Sequence, residues 1–265
     1  MTVLRRLLLV FAVLAGGCAG GGAMAPAGAL KDRVTASDES DASKRARVRL
    51  ELAGAYFARG QLTTALDEVK QSIQVDPTLA EAFNLRGLIY AGLGDDALAQ
   101  ESFRRALQLE PRDADTMHNY AWYLCQQKRH ADADALFDQA IAQPQYRGVT
   151  RSLFAQGVCR ARGGQLEGAE RVLTQAQELD PGNPAITVNL SEVLLRRGDY
   201  ERARFHIRRI NAQKDIADAQ TLWLATRIEV RAGNRAAAAD LGAQLRARFP
   251  QSREAAAFER GQFDD

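Results

Sequence analysis

The sequence predicts an all-α protein, a right-handed superhelical solenoid of six helix–turn–helix units with a C-terminal capping helix. Three sets of equivalent residues recur with one period. Alanines recur 34 to 36 residues apart, glycines precede five of them by five residues, and prolines follow four of them by twelve. The alanines are Ala65, Ala99, Ala133, Ala169, Ala203 and Ala238. A repeat of this length predicts stacked helical hairpins.

Each unit is predicted to contain two amphipathic helices, A and B. Its glycine, as at Gly60, ends helix A, because glycine readily adopts the left-handed conformation favoured there. Only Lys128 departs from this pattern. The alanine lies about one turn into helix B, where a larger side chain would hold the two helices apart. The proline, as at Pro77, is expected to follow helix B and start the next helix. These features are typical of the tetratricopeptide (TPR) repeat.

The units are predicted to start near residues 46, 80, 114, 150, 184 and 219, so that the solenoid covers residues 46–260. After Pro250, Ser252 is expected to cap a short helix from Arg253 to Arg260. Such an atypical end would cover the last apolar face of the stack. Residues 261–265 are predicted to be a frayed tail.

The N-terminus has the features of a secretion signal. Arg5 and Arg6 precede an apolar stretch too short to span a bilayer as a helix, and small residues then lead to Cys18. This arrangement resembles a bacterial lipoprotein signal, with residues 1–17 removed, Cys18 lipidated and residues 18–45 forming a flexible tether. Ala19 stands where an Asp would favour retention in the inner membrane, so the resemblance favours the outer membrane. The alternative is an ordinary secretory signal with an incidental cysteine.

Charge and motifs argue against several classes of function. Without Arg5 and Arg6 the chain has 33 basic and 33 acidic residues, which argues against nucleic acid as a partner. Six arginines lie within residues 196–209; we interpret them as a solvated face, with an anionic contact as the alternative. No phosphate loop, nucleophile motif or metal-ligand spacing is present. We therefore expect no catalytic residues, cofactor, metal or small-molecule substrate.

Cys125 and Cys159 are predicted to form a disulfide. Aligned on the repeat, they lie on the A helices of units three and four, about half a turn apart in height. A Cα–Cα separation near 6 Å would follow, which a disulfide requires. The compartment beyond a secretion signal is oxidising. Two buried free thiols are the alternative.

Binding is predicted on the concave face, which the A helices line in a solenoid of this kind. The residues expected to point into this groove are Asn84, Leu88, His118, Trp122 and Phe154. Trp122 is the strongest candidate for a binding residue, because aromatic residues often anchor a bound partner. The alternative is that Trp122 packs against a neighbouring unit.

A more specific likeness is carried by the stretch from His118 to Cys125, by Pro144-x-Tyr146, by Cys159 and by the closing Phe258-x-x-Gly261-x-Phe263. Through these residues the chain resembles the type IV pilus biogenesis and stability family, the PilF/PilW pilotins. The resemblance implies a protein anchored by lipid in the outer membrane and facing the periplasm. It also implies that the groove binds the pilus secretin, promotes its multimerisation and so supports twitching motility.

Other functions fit the same architecture. A TPR lipoprotein could serve a tight-adherence pilus, a periplasmic peptidoglycan synthase or the assembly of outer-membrane barrels. Gene neighbourhood would separate these possibilities. A cytoplasmic scaffold would require that the N-terminal signal is misread.

Replacing Cys18 with Ser tests the anchor. Cys18→Ser should leave the repeats folded and release the protein from membranes, because the thiol that receives the lipid is gone. Fractionation of cells followed by immunoblotting measures this. A Cys18→Ser protein that still fractionates with the outer membrane would show that the anchor assignment is wrong.

Overall fold

Twelve helices pair into six hairpins and a thirteenth closes the stack within residues 40–263, the part of the chain that the computed structural model describes. The predicted all-α TPR solenoid is thereby confirmed. The helices are α1 (Asp41–Ala58), α2 (Leu62–Val75), α3 (Ala80–Leu93), α4 (Asp96–Leu109), α5 (Ala114–Gln126), α6 (His130–Ile141), α7 (Val149–Arg162), α8 (Leu166–Leu179), α9 (Pro184–Arg197), α10 (Tyr200–Asn211), α11 (Ala219–Arg231), α12 (Arg235–Arg248) and α13 (Arg253–Glu259). None of them is long and apolar enough to cross a membrane. The predicted signal and the lipidation site at Cys18 lie outside the described residues.

The first helix begins earlier than the sequence predicts. Residues 41–45, assigned to the tether, belong to α1. The side chain of Ser40 accepts a hydrogen bond from the backbone N–H of Ser43 at 3.0 Å and so caps the helix. The Ser43 hydroxyl donates to the carboxylate of Asp76 at 2.7 Å, in the turn after α2. This cap and this tertiary contact give the added turn a place in the fold that its polar sequence does not reveal.

Each hairpin closes at its repeated alanine. Five of the six alanines have no exposed surface, and Ala238 has 5%. In unit two, Phe103 follows Ala99 by four residues and is fully buried beside it in the same cluster. The small side chain lets helices A and B approach closely, while the larger residue on the same face fills the space between units.

The turn between helices A and B uses the left-handed conformation in every unit. The repeated glycines have φ between 72° and 82°. Lys128 occupies the same place in unit three with φ of 60°, although a side chain there costs about 1–2 kcal/mol. The repeat geometry is therefore kept where the glycine is missing.

The repeated prolines do not start the helices, contrary to the expectation. Pro111 and Pro250 lie in tight turns between helices, closed by hydrogen bonds from Asp113 N to Glu110 O at 3.2 Å and from Ser252 N to Phe249 O at 3.0 Å. The fixed φ of proline suits the second position of such a turn. Pro184, outside the repeated set, does start a helix, α9.

The stack curves towards its A helices. Among the described residues, every A helix contacts the A helix of the next unit, whereas no two B helices contact each other. The A helices are therefore the more closely packed layer. This arrangement makes their outer surface the concave face of the solenoid.

The C-terminal end is packed as far as the structure describes it. Ser252 caps α13, as predicted, by accepting from Ala255 N at 3.0 Å. The ring of Phe258 lies against Gly242 of α12, where no side chain would fit. Phe263 stacks on Trp223 with ring centroids 5.4 Å apart, so the predicted frayed tail is wrong for residues 261–263. Aromatic contact with the last A helix is the reason.

Two glycines on A helices give a matched test of helix packing. An added Cβ at Gly87 would lie 2.8 Å from the buried ring of Phe103, whereas one at Gly54 meets nothing within 4 Å. Gly87→Ala should lower the free energy of unfolding by about 1–3 kcal/mol through overpacking. Gly54→Ala should raise it by up to about 1 kcal/mol through helix propensity. Denaturant unfolding measures both, and equal effects would contradict the packing argument.

Candidate functional site

Side chains of three consecutive A helices form a strip on the concave face. This groove strip consists of Asn84, Leu88, Asn119, Trp122 and Phe154, all half-buried. Asn119 donates a hydrogen bond to Asn84 at 3.2 Å across units two and three. The Arg162 guanidinium stands 5.2 Å from the centroid of the Trp122 ring. The strip therefore offers amides, apolar surface and a cation side by side.

Trp122 is both packed against the protein core and partly exposed on the groove. Its ring packs against the buried cluster that contains Cys125 and Cys159, as does Leu88, and each also keeps exposed surface. Phe154 packs similarly against two buried clusters that include residues of units four and five. The core therefore holds these side chains in place on the concave face. Such fixed, partly exposed aromatic residues suit a binding surface.

His118 is not part of the groove, which corrects the sequence prediction. It is 8% exposed, and its ring meets Phe137 edge-on at 5.7 Å. Its Nδ1 lies 2.8 Å from the hydroxyl oxygen of Ser152 on α7. The next residue, Asn119, faces the groove instead. His118 fills the interface between units three and four, which the repeat register alone does not specify.

A polar network occupies the junction of units three and four. The Tyr146 hydroxyl lies 2.8 Å from the Ser152 hydroxyl, which also contacts His118. Arg151 donates to Tyr146 at 3.3 Å and to Asp115 at 2.6 Å. Burial, with a smaller effect from the Arg151 charge, lowers the pKa of His118 to about 4. The imidazole is therefore neutral at pH 7 and serves as a packing and hydrogen-bonding group.

The segment between α6 and α7 opens a cleft of about 870 Å³ beside this network. Its carboxylates are engaged in the fold: Asp113 caps α5, and Asp115 pairs with Arg151. The remaining lining mixes polar and apolar surface and includes Arg112, Arg147 and Pro144. The cleft is thus a product of the seven-residue connection at this junction.

The two A-helix cysteines are joined in the structure. Cys125 and Cys159 form a disulfide with a Cα–Cα distance of 5.8 Å, across 34 residues of sequence. Both are 2% exposed. In the chain-entropy model a loop of this length contributes roughly 3–4 kcal/mol to stability. The bridge fixes the A helices of units three and four to each other directly behind the groove strip.

A histidine that the sequence analysis missed lies beside this bridge. Nδ1 of His130 stands 3.5 Å from Sγ of Cys159 and 4.0 Å from Sγ of Cys125. His130 is the first residue of α6. It is only five residues beyond Cys125, and the hairpin turn between α5 and α6 returns it to the disulfide. The geometry of the hairpin turn could have predicted that His130 lies near the cysteines, whereas motifs of metal-ligand spacing could not.

Most arginines of the segment 196–209 form ion pairs with carboxylates of the protein. Arg204 makes a two-pronged contact with the buried carboxylate of Glu229, with both distances 2.7 Å. Arg197 and Arg202 share Glu170. These pairs join neighbouring units. The structure therefore favours the structural interpretation of these charges over a site for an anion.

Comparison with known proteins identifies relatives that share this fold. Models of the tetratricopeptide repeat match residues 54–94, 80–113 and 161–223. The type IV pilus assembly protein PilF of Pseudomonas aeruginosa is 26% identical over 254 residues, covering 96% of this chain and 97% of PilF. The crystal structure of PilW, a widely conserved type IV pilus biogenesis factor, superposes with a TM-score of 0.74 at 30% identity, over 81% of this chain and 98% of PilW.

The chain belongs to the PilF/PilW family of type IV pilus biogenesis TPR proteins. The match to PilW spans nearly all of that structure. A solved structure of Pseudomonas aeruginosa PilF shares the fold, with a TM-score of 0.72 at 23% identity, and is covered completely. In this PilF/PilW-family chain, the groove strip, the buried His118 network and the bridged cysteines converge on units two to four.

Acidification tests the burial of His118. Its pKa is lower in the folded chain than in the unfolded one, so the unfolded state binds more protons between pH 6.5 and about 4. The contribution of His118 to stability is complete above pH 6.5 and is lost as the pH falls towards 4. We expect a loss of about 1–3 kcal/mol from this group. In His118→Asn, which can still reach Ser152, the unfolding free energy should depend less steeply on pH. An unchanged pH dependence would contradict a buried neutral imidazole.

Proposed function

We propose that this protein is a non-enzymatic lipoprotein that binds the pilus secretin and promotes its localisation and multimerisation in the outer membrane. The observation that carries the proposal is the groove strip, a partly exposed row of amide and aromatic side chains held by the core of a pilus-biogenesis TPR protein. The partner would be a segment of the secretin, bound as an extended or helical chain.

The amides of the groove strip can bind the backbone of such a segment. The hydrogen bond between Asn119 and Asn84 uses one donor and one acceptor of the pair. An amide side chain has two N–H donors and a carbonyl oxygen. The second N–H of Asn119, both N–H groups of Asn84 and the carbonyl of Asn119 are thus suited to main-chain groups of the partner. Leu88 and Phe154 would contact apolar side chains of the same segment.

Trp122 is the expected anchor of the complex. Arg162 covers its ring by a cation–π contact and adds positive charge next to apolar surface. A partner side chain that packs against Trp122 would displace water from a site already supported by the disulfide cluster. Well-supported aromatic residues of this kind contribute strongly to binding.

In this proposal the lipid anchors the protein to the membrane, and the groove binds the secretin. With Cys18 lipidated, the repeats would face the periplasm at the inner leaflet of the outer membrane. A bound secretin segment would be carried to the same surface, where the local concentration of subunits favours ring assembly. No chemical reaction is needed for this role.

The test compares two aromatic residues with the same local chemistry. Trp122 lies in the groove with an arginine over its ring, and Phe205 is 61% exposed on helix α10, a B helix, with Arg209 over its ring at 5.9 Å. Trp122→Ala should weaken secretin binding by about 30-fold, because loss of an anchoring aromatic costs about 2 kcal/mol or more. Phe205→Ala should leave binding unchanged.

The readout is the heat-resistant secretin multimer in outer-membrane fractions. A gene deletion should remove the multimer while the secretin monomer persists, and Trp122→Ala should reduce it at equal protein abundance. Normal multimer and normal twitching in the deletion strain would refute the secretin role. Equal loss in Trp122→Ala and Phe205→Ala would refute the groove strip as the binding surface.

A further inference from the structure

Three potential metal ligands meet at the base of the third hairpin. Sγ of Cys125, Sγ of Cys159 and Nδ1 of His130 all lie within 4.8 Å of one another. Both cysteines are buried and His130 is half-buried. In the structure the two sulfurs are bonded to each other, so the cluster has no free thiolate to offer. Reduction of that bond would give two free thiols beside the imidazole of His130.

The positions of the nitrogen and the two sulfurs match a tetrahedral zinc site. With Zn–S bonds of about 2.3 Å and Zn–N bonds of about 2.0 Å, sulfur and nitrogen ligands stand about 3.5 Å apart. His130 Nδ1 is 3.5 Å from the sulfur of Cys159 and 4.0 Å from that of Cys125. Only the two sulfurs must separate, to about 3.8 Å. A rotation about the side-chain bonds of either cysteine achieves this.

The fold holds the three groups on rigid elements. Cys125 and Cys159 lie on neighbouring A helices whose Cα atoms are 5.8 Å apart at this point, and His130 begins the B helix between them in sequence. Gly163 lies beside the imidazole of His130. A Cβ at position 163 would lie 3.1 Å from Cγ of His130, although the φ of Gly163 is −78° and does not itself require glycine.

We propose that reduction of the Cys125–Cys159 disulfide converts this cluster into a Zn²⁺ site with two thiolate ligands and one imidazole ligand. A dithiol reductant supplies two electrons and two protons, breaks the S–S bond and becomes a disulfide itself. Zn²⁺ then binds both sulfurs with release of two protons. Nδ1 of His130 donates its lone pair, and a water molecule completes the tetrahedron.

The same two cysteines would link units three and four in both redox states. In the oxidised chain a covalent bond joins units three and four, and in the reduced chain the metal joins the same two helices through the same sulfurs. The bound metal would also protect the thiolates from reoxidation, because their lone pairs are occupied. The cluster thus links the two units in either redox state.

The test uses the full chain carrying Cys18→Ser, so that Cys125 and Cys159 are its only cysteines. Thiol titration of the denatured protein should find no free thiol before reduction and two after treatment with a phosphine reductant. Zn²⁺ should then bind one to one in a competition assay with a chromogenic chelator. Co²⁺ in its place should give the absorption bands of a tetrahedral thiolate complex. The oxidised protein should give neither signal.

Histidine variants separate a three-ligand site from a simple pair of thiols. His130→Ala should weaken Zn²⁺ binding by the reduced protein at least about tenfold, since one of three protein ligands is lost. His206→Ala, which removes a half-buried histidine from another B helix, should not change it. Gly163→Ala keeps every ligand and should weaken binding by displacing the imidazole.

Circular dichroism keeps the result interpretable if reduction loosens the fold. Should the reduced, metal-free chain lose helix, added Zn²⁺ must restore it in the parent chain and not in His130→Ala. Equal Zn²⁺ affinity in the oxidised and reduced proteins would overturn the proposal. Equal affinity in reduced His130→Ala and its parent would do so as well, as would a reduced chain that unfolds and is not rescued by Zn²⁺.

Discussion

The close approach of two helices at a buried alanine is the constraint on which the structure depends. Ala65 and its five counterparts place a methyl group where each helix B crosses helix A, and five of the six have no exposed surface. A larger side chain there would separate the helices and remove the contact between units. The turn conformation is kept even where Lys128 replaces glycine, because the crossing needs it.

A stack of near-neighbour contacts leaves room for one specialised junction. Units three and four are joined by a disulfide and by the network of His118, Ser152 and Tyr146. Because each unit contacts mainly its neighbours, this elaboration does not disturb the rest of the solenoid. It makes this junction firmly fixed, and the groove strip lies directly over it.

The proposed function depends on that placement. Binding of a partner segment, as proposed, requires a surface that holds the segment in one orientation, and side chains fixed by the core lose little freedom on binding. The disulfide cluster supports Trp122 and Leu88 from behind. The same cluster brings His130 to the two sulfurs, so one group of residues serves the binding surface and the proposed redox-dependent site.

The amino-acid sequence by itself determined the period, the six hairpins, the starts of five of the six A helices to within a residue, and the pair of A-helix cysteines. These features rest on local rules, namely helix periodicity, left-handed glycines and small residues at a fixed spacing. Only the tertiary structure decided that Asn119 rather than His118 faces the groove, that Phe263 packs on Trp223, and that His130 reaches the disulfide. Such outcomes depend on the rotation of each helix against its neighbours, which many distant contacts set together and no single stretch of sequence encodes.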